Sequence, residues 1–186
     1  MGDVHVIFGS GQVGTLLAGR LLAAGHRVRV VRRSGGAVAA GAEVVRGDAA
    51  DREFCVRAAQ GAATLYHCMN PPYDAKLWAR VVPALMQGLM TAAGRANARL
   101  VVLDNLYMYG RPPGPMDEAT PFDPASRKGA IRAKTSELLS AAQQRGEVRA
   151  TVARSSDFFG PGGVGTHFAD RFWEPALAGK TVRLAF

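Results

Sequence analysis

The chain has 186 residues, of which 48% are hydrophobic and 20% charged, with a formal net charge of +8. This fits one soluble globular domain over residues 1–186 with a sizeable core, and no apolar run is long enough to span a bilayer. The arginines are scattered, no basic run exceeds Arg32-Arg33, and aromatic residues are not interleaved with them, so no nucleic-acid partner is expected and the charge suits anionic small molecules instead.

The first predicted strand, Val4 to Phe8, starts almost at Met1 and leaves no room for a signal peptide, so the expected location is cytoplasmic. It runs straight into Gly9-Ser10-Gly11-Gln12-Val13-Gly14, after which Leu16, Leu17, Ala18, Leu21 and Leu22 recur at helical spacing. Strand, glycine turn and helix in that order form the context a dinucleotide fingerprint requires. Gly9 permits the tight turn, Gly11 lets the backbone approach a pyrophosphate, and Gly14 lets the helix pack close to the strand. The free N–H groups at the helix start then face the phosphates.

Gly25-His26 ends that helix, and Arg27 to Val31 reads as a second strand leading into Arg32-Arg33-Ser34. An acidic residue near this point would accept hydrogen bonds from a ribose 2′-OH; here two arginines and a serine offer the charge and donors that a 2′-phosphate needs. NADP is therefore expected over NAD. Glu43 to Arg46 is a third strand, followed by Gly47-Asp48-Ala49, where the Asp48 carboxylate either accepts from an adenine amino group or only caps a turn. Asp51 caps a short helix through Phe54, Cys55, Ala58 and Ala59, which Gly61 stops. Thr64 to Met69 reads as a fourth strand that exits through Asn70-Pro71-Pro72, a loop able to lie along the nicotinamide side of a cofactor. A long helix from Asp74 should kink or break at Pro83 and end at Gly94.

Arg99 to Leu103 is a continuous apolar run, as expected of a central parallel strand, and leads into Asp104-Asn105-Leu106-Tyr107-Met108-Tyr109-Gly110. Residues 111–124 form a long Pro- and Gly-rich loop. Arg127 to Ala142 returns to helical spacing, with Ile131, Leu138 and Leu139 as its apolar stripe. Val148 to Ala153 is a sixth strand, followed by the loop Arg154-Ser155-Ser156-Asp157 and its glycines, weak helical character over Phe168 to Leu177, and one more short strand over Thr181 to Phe186. Strands alternating with helices imply an α/β, doubly wound parallel sheet, with the ligand at the carboxyl ends of the strands. The two cysteines, Cys55 and Cys68, have no metal spacing and are expected as free thiols in a reduced compartment. The four histidines have no metal spacing either, and His67, in a core strand, reads as a satisfied buried side chain.

Over nearly its whole length the chain resembles the NAD(P)-dependent epimerase/dehydratases of the extended short-chain dehydrogenase/reductase superfamily, as an atypical member. Asp104 to Gly110 resembles the family's Ser-Ser-x-x-x-Tyr-Gly segment, Arg154 to Gly162 resembles Arg-x-x-Asn-x-Tyr-Gly-Pro-Gly, and Asp48 matches the aspartate that contacts adenine. The resemblance implies a Rossmann fold whose substrate lobe is truncated or missing. It implies cofactor contacts from Gly9 to Gly14, Arg32, Arg33, Ser34, Asp48, Ala49, Met69, Asn70, Lys134 and Ser155. The expected partners are a small-molecule substrate and a second copy of the chain.

The departures matter as much. The family's Tyr-x-x-x-Lys becomes Ala130 and Lys134, its serine becomes Asn105, and Phe8 fills the first slot of its Gly-x-x-Gly-x-x-Gly turn. Asn105 can orient a substrate oxygen and Lys134 can hold a ribose, but neither replaces a tyrosine as general acid. Tyr73, Tyr107 and Tyr109 are the candidate substitutes. The expectation is an NADP-dependent oxidoreductase or epimerase-like enzyme acting on a small carbonyl, hydroxyl or sugar-derived substrate, with a non-catalytic NADP(H)-binding sensor as the alternative.

Overall fold

A computed structural model describes residues 2–34, 38–156, 158 and 170–182. Its strands are β1 (Val4–Phe8), β2 (Arg27–Arg32), β3 (Glu43–Arg46), β4 (Thr64–His67), β5 (Arg99–Asp104) and β6 (Arg149–Arg154). Its helices are α1 (Gln12–Ala23), α2 (Arg52–Ala58), α3 (Ala75–Ala96), α4 (Arg127–Gln144) and α5 (Asp170–Leu177), with a single 3-10 turn over Tyr107–Tyr109. The six strands form one parallel sheet in the order β3-β2-β1-β4-β5-β6. This is the doubly wound arrangement, and its switch point lies between β1 and β4.

Alternation in β1 divides the core. Val6 and Phe8 join Leu65, Leu100, Val102 and side chains of α2, α3 and α4 on one face. Ile7 joins Val28, Val30 and α1 on the other. Both faces of β1 are therefore covered, which is why it reads as an unbroken β-branched and aromatic run.

Several boundaries differ from the sequence expectation. The β4 ladder stops at His67: Cys68 still donates from its N–H to the Phe8 carbonyl at 2.9 Å, but the Met69 N–H turns back onto His67 Nδ1 at 3.3 Å. Pro83 does not break α3, which runs for 22 residues. The acceptor that Pro83 leaves without its usual donor belongs to Ala79, which lies on the exposed side of the helix. Nor does Gly94 end the helix, which runs to Ala96 and closes on Asn97 in the left-handed conformation, φ 49°. Gly94 serves packing instead: a Cβ there would lie 2.6 Å from the Glu147 carbonyl oxygen. Asp51, Asp74 and Ser126 cap α2, α3 and α4 by accepting from Phe54, Leu77 and Gly129 N–H groups. Thr181 and Val182 are not in a strand, and the rest of the proposed last strand, like Asp157 and the glycines after it, lies outside the described residues.

Candidate dinucleotide site

Three glycines build the turn between β1 and α1, each for a different reason. Gly9 has φ 106°, and a Cβ there would come 2.8 Å from the Cys68 carbonyl oxygen. A Cβ on Gly14 would collide with the Gly9 carbonyl. A Cβ on Gly11 would meet no protein atom within 4 Å, so the fold itself does not ask for glycine here. Gly11 is also the N-cap of α1, and no side chain caps the helix there. The first N–H groups of α1, together with the positive end of its dipole, therefore face open space, the arrangement in which a helix start takes a phosphate.

Two cavities meet at this turn. The first, about 300 Å³, runs past Gly9, Ser10 and Gly11 to Arg32, Arg33 and Ser34 on one side and to Asp48 and Ala49 on the other. Asp48 Oδ1 accepts from the Ala50 N–H at 2.9 Å, so this carboxylate both fixes its turn and borders the cavity. The second, about 260 Å³, lies beyond Gly11, Gln12 and Val13 and is walled by Leu103, Asp104, Asn105 and Arg132. Gly11, Cys68, Met69 and Asn70 border both, making one trough across the carboxyl ends of the strands.

The deep end of the trough holds a buried polar cluster. Arg132 Nη2 donates to Asn70 Oδ1 at 2.7 Å, and Nη1 lies 3.3 Å from Asp104 Oδ1. The guanidinium also packs 4.6 Å from the centre of the Trp78 ring. Asp104 Oδ1 accepts from the Asn105 N–H at 2.9 Å as well. Burial raises the Asp104 carboxyl above its ordinary range, against the pull of the Arg132 and Arg154 charges and the Asn105 N–H. Asn105 Oδ1 accepts from the Tyr107 N–H at 3.1 Å, which leaves its amide N–H pair for a ligand. Cys68 borders the same space, and burial pushes its thiol up to about 11.

Of the residues singled out in the sequence, Gly9 to Val13, Arg32 to Ser34, Asp48, Ala49, Met69, Asn70 and Asn105 come together along the trough. Gly14 packs beneath it. Ser155 borders neither cavity and donates from its N–H to the Asp104 carbonyl at 3.1 Å. Lys134 is exposed and lines neither cavity, and Ala130 is exposed too. The α4 residue that reaches the trough is Arg132, with Lys128 one turn before it, its Nζ 2.9 Å above the Tyr73 ring. Two residues of helix amount to about 200° of rotation, so Arg132 and Lys134 occupy nearly opposite faces.

Among the described residues no tyrosine lines either cavity. Tyr109 is buried and its hydroxyl accepts from Arg154 Nη1 at 3.0 Å, while Tyr107 stacks on Trp78. Also among the described residues, no group of three or more His, Cys, Asp or Glu is placed to hold a metal ion, and no helix is long and apolar enough to cross a membrane.

A six-stranded parallel sheet in this order, with an uncapped helix start at its switch point, defines a Rossmann-type domain. Residues 5–185 match the NAD dependent epimerase/dehydratase family, and the chain belongs to that family. No protein of curated function matches it in sequence. Among solved structures it is similar to the Bordetella bronchiseptica enzyme WbmH in complex with NAD+, with a TM-score of 0.79 and 19% identity over 97% of this chain and 64% of that one. It is also similar to UDP-N-acetylglucosamine 4-epimerase from Bacillus cereus, with a TM-score of 0.81 and 14% identity over 97% and 63% of the two chains. MoeE5 in complex with UDP-glucose and NAD gives a TM-score of 0.70 and 26% identity over 88% and 57%. The chain thus spans less than two thirds of the length of each.

Proposed function

We propose that the trough binds a nicotinamide dinucleotide, with NADP preferred, and that the protein is an oxidoreductase or epimerase-like enzyme acting on a small carbonyl, hydroxyl or sugar-derived substrate. The observation that carries this is Gly11, which has open space where a Cβ would be, at a helix start without a side-chain cap. The α1 N-terminus would hold the pyrophosphate, Asp48 and Ala49 the adenine end, and Arg32, Arg33 and Ser34 a 2′-phosphate. Asn105 and Arg132 would face the nicotinamide end, where such a cofactor supplies reversible hydride exchange. Family membership and the NAD named with two of the similar structures support a dinucleotide; the basic Arg32-Arg33 pair supports the phosphorylated form.

Titration with NADPH and NADH tests the reading directly. NADPH should bind more tightly than NADH, and failure of both to bind would end the proposal. Oxidation of NADPH with a panel of carbonyl compounds then tests catalysis. That no tyrosine lines either cavity among the described residues favours one second reading, a sensor that binds NADPH without turnover. Its signature is a partner protein whose affinity changes with cofactor occupancy.

A further inference from the structure

The deep end of the trough holds a carboxylate that the stability of the fold does not explain. Asp104 and Arg132 are each 6% exposed, and a buried ion pair is commonly no more stabilising than apolar residues of the same size. Among the described residues both protein partners of the carboxylate fall on Oδ1, which leaves Oδ2 for whatever occupies the cavity that Asp104 lines. The other titratable side chains lining this cavity are Cys68 and Arg132. The Cys68 thiol, raised to about 11, keeps its proton at neutral pH, and a guanidinium keeps its charge. Beyond the lining, Arg154 acts on Asp104 from the neighbouring strand β6. His67, on β4, and Tyr107 act on Arg132, and His67 is held neutral by burial with its pKa lowered to about 4. With the thiol and the guanidinium holding their protons, Asp104 is the lining group among the described residues left to exchange one, and burial pushes its carboxyl toward the protonated form.

Resting on the dinucleotide reading above, we propose that Asp104 is the proton-transferring residue of this site, in the place a tyrosine would take, and that Arg132 is its positioning residue. In the oxidising direction the substrate O–H bond breaks and its proton passes to Asp104 Oδ2. A bound oxidised dinucleotide would take the hydrogen on the adjacent carbon as hydride, leaving a carbon–oxygen double bond. In the reducing direction the protonated carboxyl returns the proton to the carbonyl oxygen. Arg132, held by Asn70 and Trp78, fixes the carboxylate through Oδ1 and moderates the cost of its charge.

Cofactor binding alone tests this, because an ionised carboxylate at the nicotinamide end favours the cationic oxidised ring over the neutral reduced one. Dissociation constants for NADP+ and NADPH are measured from about pH 5 to 9. The 2′-phosphate is common to both ligands, so its own titration cancels in their ratio. Preference for NADP+ should rise with pH, by at most about tenfold per pH unit, and then level off. In Asp104→Asn the ratio should be flat. In Arg132→Gln the rise should move to higher pH, whereas a merely structural role would weaken both ligands equally. A pH-independent ratio in the unmodified protein, or a rise that survives in Asp104→Asn, overturns the proposal while leaving the dinucleotide site standing. If neither ligand binds, the dinucleotide reading itself falls, and this one with it.

Discussion

At the scale of single residues, the glycine turn separates ligand demands from fold demands. Gly11→Ala places its methyl in open space and should change stability by no more than about 1 kcal/mol, yet weaken dinucleotide binding at least about tenfold, as a thermal melt and an NADPH titration would show. Gly14→Ala meets the Gly9 carbonyl and should lose about 1–3 kcal/mol of stability with or without ligand. Arg33→Asp should weaken NADPH much more than NADH, by about tenfold or more, because it removes a donor from a 2′-phosphate and adds a repelling charge. Comparable losses for the two cofactors would show that Arg33 does not read the phosphate. The tight turn at Gly9 and the close packing at Gly14 were legible in the sequence from the strand–turn–helix order, and the structure shows them as φ 106° at Gly9 and a Gly14 Cβ position blocked by the Gly9 carbonyl. The role of Arg132 was not legible there, because a lone arginine in a helix carries no local sign that it is buried.

At the scale of elements, small residues set the packing. Gly94 lies in the last turns of α3 against the Glu147 carbonyl, so Gly94→Ala should destabilise by about 1–3 kcal/mol although alanine is the better helix former. A denaturant midpoint that rises instead would show that the turn before β6 yields easily. The same feature hides the phase of α4. Its buried positions are Gly129, Arg132, Ala133, Thr135, Leu139 and Ala142, while Ile131 and Leu138 are only half-buried. An apolar stripe drawn through Ile131, Leu138 and Leu139 therefore misplaces the helix against the sheet, and with it the residue that reaches the trough. The cause is the close approach of α4 to the turn over Tyr107–Tyr109, where a Cβ on Gly129 would strike the Tyr107 carbonyl. Contact that close selects small side chains, which hydropathy does not register.

At the scale of the whole molecule, two histidines in parallel strands make the fold sensitive to acid. His67 is lowered to about 4 by burial and by Arg132, and His5 is lowered by burial and by His26. For a depressed pKa, stability is complete above the unfolded value of about 6.5 and is lost as pH falls through the folded value. His67 alone should cost about 3 kcal/mol between about pH 6.5 and the region below pH 4. Asp104 acts with the opposite sign, since its raised pKa favours the protonated form in the fold. Denaturant melts across this range should show a falling midpoint, and His67→Asn should flatten it. A midpoint that stays level in the unmodified protein would mean that both side chains are charged inside the fold.

What the amino-acid order determined by itself was what neighbours in the chain set: the strand–glycine–helix opening, the Asp51 cap, the helix start at Asp74, and the parallel sheet implied by alternating elements. What only the tertiary structure decided was which side chains share the deep end of the trough. Asn70, Asp104 and Arg132 come from three separate elements, and their meeting depends on the rotation of α4 about its axis. That rotation is fixed by backbone approaching backbone, a contact between atoms that every residue has and no sequence pattern marks.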